Sequence, residues 1–355
     1  MSDEELLRLR TEIDALDEEV LAKLSRRAAL AHRIGEIKRG NIYRPEREAQ
    51  VLRRLAEVNP GPLPDKAVQR VFREVMSACL ALEKPLEVAF LGPEGTFSET
   101  AARKHFGSGP SLQSVASIDD VFRAVEANNA EYGVVPVENS TEGAVGRTLD
   151  LLLMSPLSVC GEVKLRIHQN LLTRAPGLGA VRRVYSHPQS LAQCHEWLNR
   201  NLPEIPRIPV ASNAEAARMA AEDPDAAALA GEAAAERYGL SILAGRVEDD
   251  PNNSTRFLVL ASHDAGPSGR DKTSLVCSAP NRSGAMHALL EPFARFGVSM
   301  TKLESRPARS GMWEYVFYID VEGHQSDEPL SAALQELKER AAFLKVLGSY
   351  PVAAI

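Results

Sequence analysis

From Leu6 to Lys38 the chain contains no proline, and its one glycine in that stretch, Gly35, comes near the end. Apolar residues recur at Leu6, Leu9, Ile13, Leu16, Val20, Leu24, Ala31 and Ile34. Spacings of three, four and seven define one face of a helix of about eight or nine turns. A helix that long carries more apolar stripe than a lone three-helix hairpin can cover, which favours an intertwined dimer. Gly40-Asn41 supplies a stop. A second helix is predicted from Pro45 to about Val58, a break at Asn59-Pro60-Gly61-Pro62, and a third helix from about Pro64 to Glu83.

Two cations interrupt the stripe. Arg27 stands where the series Leu24, Arg27, Ala31, Ile34 calls for an apolar side chain. Lys38 follows it roughly 1100° further around the helix, so the two point nearly the same way. An internal salt bridge or snorkelling to water would satisfy such a pair. A pocket for a small dicarboxylate would do so too, since a buried cation needs a carboxylate partner. Arg10 lies about 100° away on an ideal helix and reaches the same pocket more naturally from a second subunit.

With 355 residues the chain has room for two or three domains. Its 44% hydrophobic and 25% charged content is that of a globular protein, and no apolar run approaches the roughly 20 residues that span a bilayer. The acidic start, Met1-Ser2-Asp3-Glu4-Glu5, lacks a signal-peptide pattern, so a cytoplasmic location without membrane contact is expected. A net charge of −7 argues against a nucleic-acid surface, so any anionic substrate must be held by locally placed Arg and Lys. Cys79, Cys160, Cys194 and Cys277 are scattered without CxxC spacing, which suggests neither zinc nor a disulfide framework.

Pro85 ends the helical segment and a strand begins almost at once at Leu86. Strands near 86–91, 112–116, 132–137, 157–165, 181–186, 207–210, 226–230, 240–247 and 256–261 then alternate with helices near 98–106, 118–128, 143–154, 189–200, 213–221 and 231–238. That order predicts parallel sheet flanked by helices, in two lobes with the site at the strand ends between them. Polar turns follow several of these strands. Gly92-Pro93-Glu94-Gly95-Thr96-Phe97-Ser98 lacks a nucleotide-loop pattern, yet its strand-to-helix turn presents free N–H groups suited to a carboxylate, with Ser98 as the cap. Glu138-Asn139-Ser140-Thr141 and Ser186-His187-Pro188 repeat the arrangement. Finally Asn252-Asn253-Ser254-Thr255-Arg256-Phe257 crowds amides, hydroxyls and a cation at the mouth of an apolar strand, although surface turns use the same residues.

Ser262 to Lys272, with Gly266-Pro267-Ser268-Gly269, reads as an interdomain linker. Beyond it come a strand at 273–278, a helix at 284–295, strands at 298–307 and 312–321, a helix at 328–340 and a strand at 343–348. This is the βαββαβ order of ferredoxin-like domains.

The four polar motifs, in this order, closely resemble those of the prephenate dehydratases. The helical segment resembles the all-helical chorismate mutases, and the last segment resembles an ACT domain. The resemblance implies a multidomain fold: chorismate mutase helices over 1–84, a two-lobed α/β dehydratase over 85–262 similar to periplasmic binding proteins, and an α+β ACT domain over 272–355. It implies rearrangement of chorismate to prephenate, then decarboxylation and dehydration to phenylpyruvate, inhibited by L-phenylalanine, in a homodimer or tetramer with no metal or organic cofactor. Mutase contacts fall on Arg10 (from the partner chain), Arg27, Lys38, Arg47, Glu48, Cys79 and Glu83. Lys38 would face the ether oxygen, where charge develops, and Glu83 stands where a Gln is known. Dehydratase contacts fall on Thr96, Phe97, Ser98, Glu138, Asn139, Ser140, Ser186, His187, Thr255, Arg256 and Phe257. Thr255 would donate to the leaving hydroxyl, Arg256 hold a carboxylate and Phe257 form an apolar wall, with Glu138 a further proton source. Effector contacts fall on Gly284, Ala285, Met286, Glu304, Ser305, Arg306 and Pro307. An arogenate-preferring dehydratase and a non-catalytic amino-acid sensor or solute-binding protein are the alternatives.

Overall fold

The computed structural model describes residues 3–37, 43–279, 282–307 and 315–353. The N-terminal unit is α1 (Asp3–Ile37), α2 (Pro45–Glu57) and α3 (Asp65–Ala81). Pro45 takes the first position of α2, where a missing N–H costs nothing, and Glu46 and Glu48 lie in its positive first turn. No residue of α1 is buried, and its stripe lies open, with Ile13 at 56% and Leu16 at 59% exposure. Among the described residues no helix is long and apolar enough to cross a membrane.

The middle unit has two lobes. Lobe 1 holds β1 (Glu87–Leu91), α4 (Phe97–Phe106), β2 (Ser111–Val115), α5 (Ile118–Glu126), β3 (Tyr132–Asn139), the short β4 (Gly143–Ala144), α6 (Gly146–Met154) and β5 (Ser158–Arg166). Lobe 2 holds β6 (Asn170–Thr173), β7 (Arg183–Ser186), α7 (Pro188–Gln193), α8 (His195–Asn201), β8 (Arg207–Pro209), α9 (Asn213–Glu222), β9 (Ala226–Ala230), α10 (Glu232–Tyr238) and β10 (Ser241–Ala244). The chain then returns to lobe 1 as β11 (Ser254–Ala261).

Neither sheet is purely parallel, contrary to the sequence-based expectation. The lobe 1 order is β2-β1-β3-β11-β5, and the returning β11 runs antiparallel to both neighbours. The lobe 2 order is β10-β6-β9-β7-β8, with β6 antiparallel to β9. Strand β6 was not predicted, because four residues show no alternation to count. The helix predicted over 189–200 divides at Cys194, whose backbone leaves the helical region.

The C-terminal unit is β12 (Asp271–Ser278), α11 (Ala285–Arg295), β13 (Met300–Pro307), β14 (Tyr315–Glu322), α12 (Glu328–Arg340) and β15 (Phe343–Pro351). Its antiparallel order β13-β14-β12-β15 is that of a ferredoxin-like sheet. Leu275, Cys277, Ile319 and Val321 face its own helices. Val276, Val316, Tyr318, Leu347 and Tyr350 face lobe 1 and share a core with Val135, Leu149, Leu258 and Leu260. The predicted linker is equally engaged: Arg53 of α2 donates to the Ser268 carbonyl at 2.8 Å.

Candidate active sites

The centre of the two-lobed unit is the pairing of β3 with β11. Thr255 stands opposite Asn139 and Arg256 opposite Glu138, but Phe257 pairs with Pro136, so Val137 is an extra residue. A bulge of this kind turns the strand end and re-aims its side chains. Val137 and Leu258 face the C-terminal unit, whereas Phe257 and Val259 pack toward α4. Period-two alternation then sends Thr255 to the α4 side and Arg256 to the other.

Asn139 Nδ2 donates to Thr255 Oγ1 at 2.9 Å and to Asn253 Oδ1 at 3.0 Å. Its Oδ1 accepts from the Thr141 and Glu142 N–H groups at 3.0 and 3.2 Å, which pins the following turn. Thr255 thus has an oxygen lone pair occupied while its own proton points elsewhere. Lobe 2 closes on the same cluster through Gln193. It donates to Thr141 Oγ1 at 3.2 Å and accepts from Asn253 Nδ2 at 2.9 Å. Gln169, 1% exposed, begins the lobe 2 side and leaves its Oε1 without a hydrogen-bond partner among the described residues. The turn before α4 makes the other crossing. Phe97 lies against Gly231, where an added Cβ would come within 2.9 Å of the ring, and the Tyr238 hydroxyl donates to the Glu94 carbonyl at 3.3 Å.

In the helical unit, α1 turns Arg27 onto α3, where its Nη1 donates to Cys79 Sγ at 3.0 Å. Glu83 lies over Gly35, so closely that a Cβ there would sit 2.6 Å from Glu83 Oε2. That oxygen is buried and has no hydrogen-bond partner among the described residues. From α2, Glu48 accepts from Arg73 Nε at 3.2 Å, and burial raises its pKa against the lowering effect of Arg73. Arg10 and Arg47 are exposed. Lys38 lies outside the described residues.

Residues 88–265 match the prephenate dehydratase family, residues 9–84 chorismate mutase type II and residues 273–339 the ACT domain. A bifunctional chorismate mutase/prephenate dehydratase from Neisseria gonorrhoeae is 56% identical over 99% of both chains. This chain belongs to the bifunctional chorismate mutase/prephenate dehydratases. A namesake from Pseudomonas aeruginosa is 48% identical over the whole of both chains. The solved prephenate dehydratase of Arthrobacter aurescens, in complex with L-Phe, is 32% identical with a TM-score of 0.71, covering 76% of this chain and 90% of that one. Both activities are therefore those of this family, and the sensor and arogenate readings are not favoured.

Several predicted contacts of the dehydratase take other places. The Arg256 guanidinium is not presented to the cleft. It donates to Glu162 at 2.8 Å, Asp320 at 2.5 Å and the Tyr350 hydroxyl at 2.8 Å, joining the dehydratase to the ACT domain. Lys272 completes the cluster on Glu162 at 3.2 Å, and Glu138, 3.9 Å from Arg256, links Lys302 to it, so three cations meet three carboxylates in a charge-balanced network. Phe257 is 2% exposed in the core and forms no wall; Phe97 and Tyr238 are aromatic side chains at the lobe crossing. Ser186 is fully buried and donates to the Leu229 carbonyl and Asn213, so it shapes its turn. His187 caps α7 by accepting from the Gln189 N–H. Ser140 clamps the turn to β11, accepting from the Ser254 N–H at 2.9 Å.

Ser98 is not the cap of α4. Thr96 holds that position, and Glu99 takes the Gly95 N–H at 2.6 Å. Glu138 pairs with Lys302 of the ACT domain at 2.8 Å, on the Arg256 side of the sheet.

In the ACT domain, Gly284 caps α11 with a φ of 75°, a left-handed position that glycine takes without strain. The cross-strand row Ser278–Val316–Arg306 places the end of β12, and hence Gly284, Ala285 and Met286 beyond it, at the same end of the sheet as Glu304 to Pro307. Arg306 nevertheless turns to the dehydratase, 3.5 Å from Asp150 and against Gly146. Sequence reasoning passed over Gln193 and Gln169, whose role depends on how the lobes close and leaves no local signal.

Proposed function

We propose that this enzyme converts chorismate to prephenate in its helical unit and prephenate to phenylpyruvate in the cleft between the two lobes, and that L-phenylalanine binds the ACT domain and restrains the second step. The Asn139–Thr255 hydrogen bond at 2.9 Å carries the reading of the cleft. In the dehydratase step the bond from the ring to its carboxylate breaks, carbon dioxide leaves, and its electron pair completes the aromatic ring. The ring C–O bond breaks in concert, and the hydroxyl departs as water once protonated. Asn139 fills the acceptor side of Thr255, so the Thr255 proton is the one aimed at the leaving oxygen. The first turn of α4, with Thr96, Phe97 and Ser98, offers N–H groups and the positive helix end to a carboxylate. Replacing Thr255 by Ala should lower phenylpyruvate formation at least about 100-fold, the scale of a lost acid–base group, while chorismate consumption stays near the parent rate. Loss of both activities together, followed with chorismate and with prephenate as separate substrates, would refute the division of labour.

The mutase reaction is a unimolecular rearrangement that needs a compact conformer and positive charge near the ether oxygen. Arg27, Lys38, Arg47, Glu48, Cys79 and Glu83 form that pocket in our reading, with Arg10 arriving from a partner subunit. The open stripe of α1 supports a homodimer built on that helix, with a tetramer as its extension. Domain limits of 1–84, 85–262 and 272–355 and a cytoplasmic location accord with this function. Gly284, Ala285, Met286 and Ser305 form the effector contacts.

A further inference from the structure

Tyr43 stands just before α2, yet its ring is buried in the dehydratase domain. It meets Phe106 and Tyr132 with ring centroids 5.3 and 5.5 Å apart. Its hydroxyl lies 3.2 Å from His105 Nε2, near the end of α4. The Glu48 carboxylate stands beside the same hydroxyl, and Arg73 holds it from the other side at 3.2 Å.

A tyrosine hydroxyl has one proton to give and an oxygen that can accept. With Glu48 ionised, that proton goes to Glu48, and the oxygen accepts from His105 Nε2–H. Burial keeps the His105 imidazole neutral, its pKa lowered to about 3, so only one ring nitrogen carries a proton. Donation then runs from His105 through Tyr43 to Glu48.

We propose that Tyr43 is a positioning residue for the mutase reaction, fixing the Glu48 carboxylate from a seat inside the dehydratase domain. The proposal rests on Glu48 belonging to the mutase pocket. Helix α4 begins at the turn bordering the dehydratase cleft and ends beside His105 and Tyr43, so one helix frames both active sites. Chorismate carries two carboxylates, which Glu48 repels, and one ring hydroxyl, which can donate to it. A contact to a group that does not react stabilises ground and transition states alike, so misplacing Glu48 should raise KM and spare kcat.

The test uses full-length protein. Tyr43→Phe keeps the ring contacts and removes only the hydroxyl. It should raise KM for chorismate about five- to tenfold, the scale of one net hydrogen bond, with kcat and the dehydratase parameters nearly unchanged. His105→Phe should raise the same KM less, and the double variant no more than Tyr43→Phe alone; additive effects would overturn the link to His105. A Tyr43→Phe enzyme with unchanged KM, alongside a Glu48→Gln enzyme whose KM for chorismate has risen, overturns the positioning role and leaves Glu48 in the pocket. A fully active Glu48→Gln enzyme overturns the pocket assignment and the proposal with it. Parallel loss of both activities with a lowered melting temperature in Tyr43→Phe would assign Tyr43 to folding alone, and so also overturn it.

Discussion

Thr255 and Arg256 are one peptide bond apart and serve different halves of the molecule. The hydroxyl joins Asn139 at the cleft, while the guanidinium joins Asp320 and Tyr350 of the ACT domain. The motif is plain in the sequence, but its division is not. Which residue of a strand faces which side depends on register, and the bulge at Val137 resets that register without altering any hydrophobic pattern. Glu83 is the opposite case, since its place at the end of the third helix, two residues past Ala81, was legible and its isolation was not. Its Oε2 is buried and has no hydrogen-bond partner among the described residues. In the mutase the protonated carboxyl can donate to the ether oxygen, whereas the ionised form sets a negative charge beside an oxygen that is becoming negative. Glu83→Gln, whose amide donates in either case, should therefore keep or raise the mutase rate across the pH range while leaving the dehydratase profile alone. A mutase rate that falls in Glu83→Gln would exclude this donor role.

At the scale of elements, the ACT domain docks along the whole of α6. Arg306 meets its first turns at Gly146 and Asp150, and the Tyr318 hydroxyl donates to the Leu149 carbonyl at 2.7 Å. Lys345 caps its last turn, donating to the Leu152, Leu153 and Ser155 carbonyls at 2.8, 3.2 and 2.5 Å. Only the short β4 separates α6 from the turn that Asn139 pins, so a shift of β13 bears on the cleft through α6 and through the Lys302–Glu138 pair. Binding and transmission should separate accordingly. Ser305→Ala should weaken L-phenylalanine binding several-fold by calorimetry, whereas Arg306→Ala should still bind it but lose most of the inhibition. Equal losses of binding in both would place Arg306 in the effector pocket instead. The βαββαβ order and the long helices were legible because their periods run over many residues. The docking surface was not, because Val276, Val316 and Tyr318 look like any buried strand until the partner surface is known.

At the scale of the molecule, two predictions concern what holds it together. If the stripe of α1 is a subunit interface, Leu16→Asp should shift sedimentation toward the monomer and cut mutase activity at least about tenfold, because Arg10 is then lost from the partner's pocket; the stripe would be a solvent face if the oligomer survived. His105 supplies a pH term. Its pKa is about 3 in the fold and about 6.5 when unfolded, so below about pH 6.5 the unfolded chain binds the extra proton. Stability is complete above that pH and is lost as pH falls toward about 3, by up to about 1.4 kcal/mol per unit. Urea midpoints should thus drop between pH 7 and pH 5 in the parent and drop less in His105→Phe.

The position of β11 also governs the order in which the protein can be made. It fills an inner position of the lobe 1 sheet, between β3 and β5, yet it is translated after all of lobe 2. While the ribosome works from residue 167 to residue 253, lobe 2 can complete its own sheet, but β3 and β5 face each other across a missing strand. Two apolar edges of this kind recruit any extended segment that comes near. A nascent chain halted before Ser254 should consequently be the form most dependent on chaperones, and release of a few further residues should end that dependence.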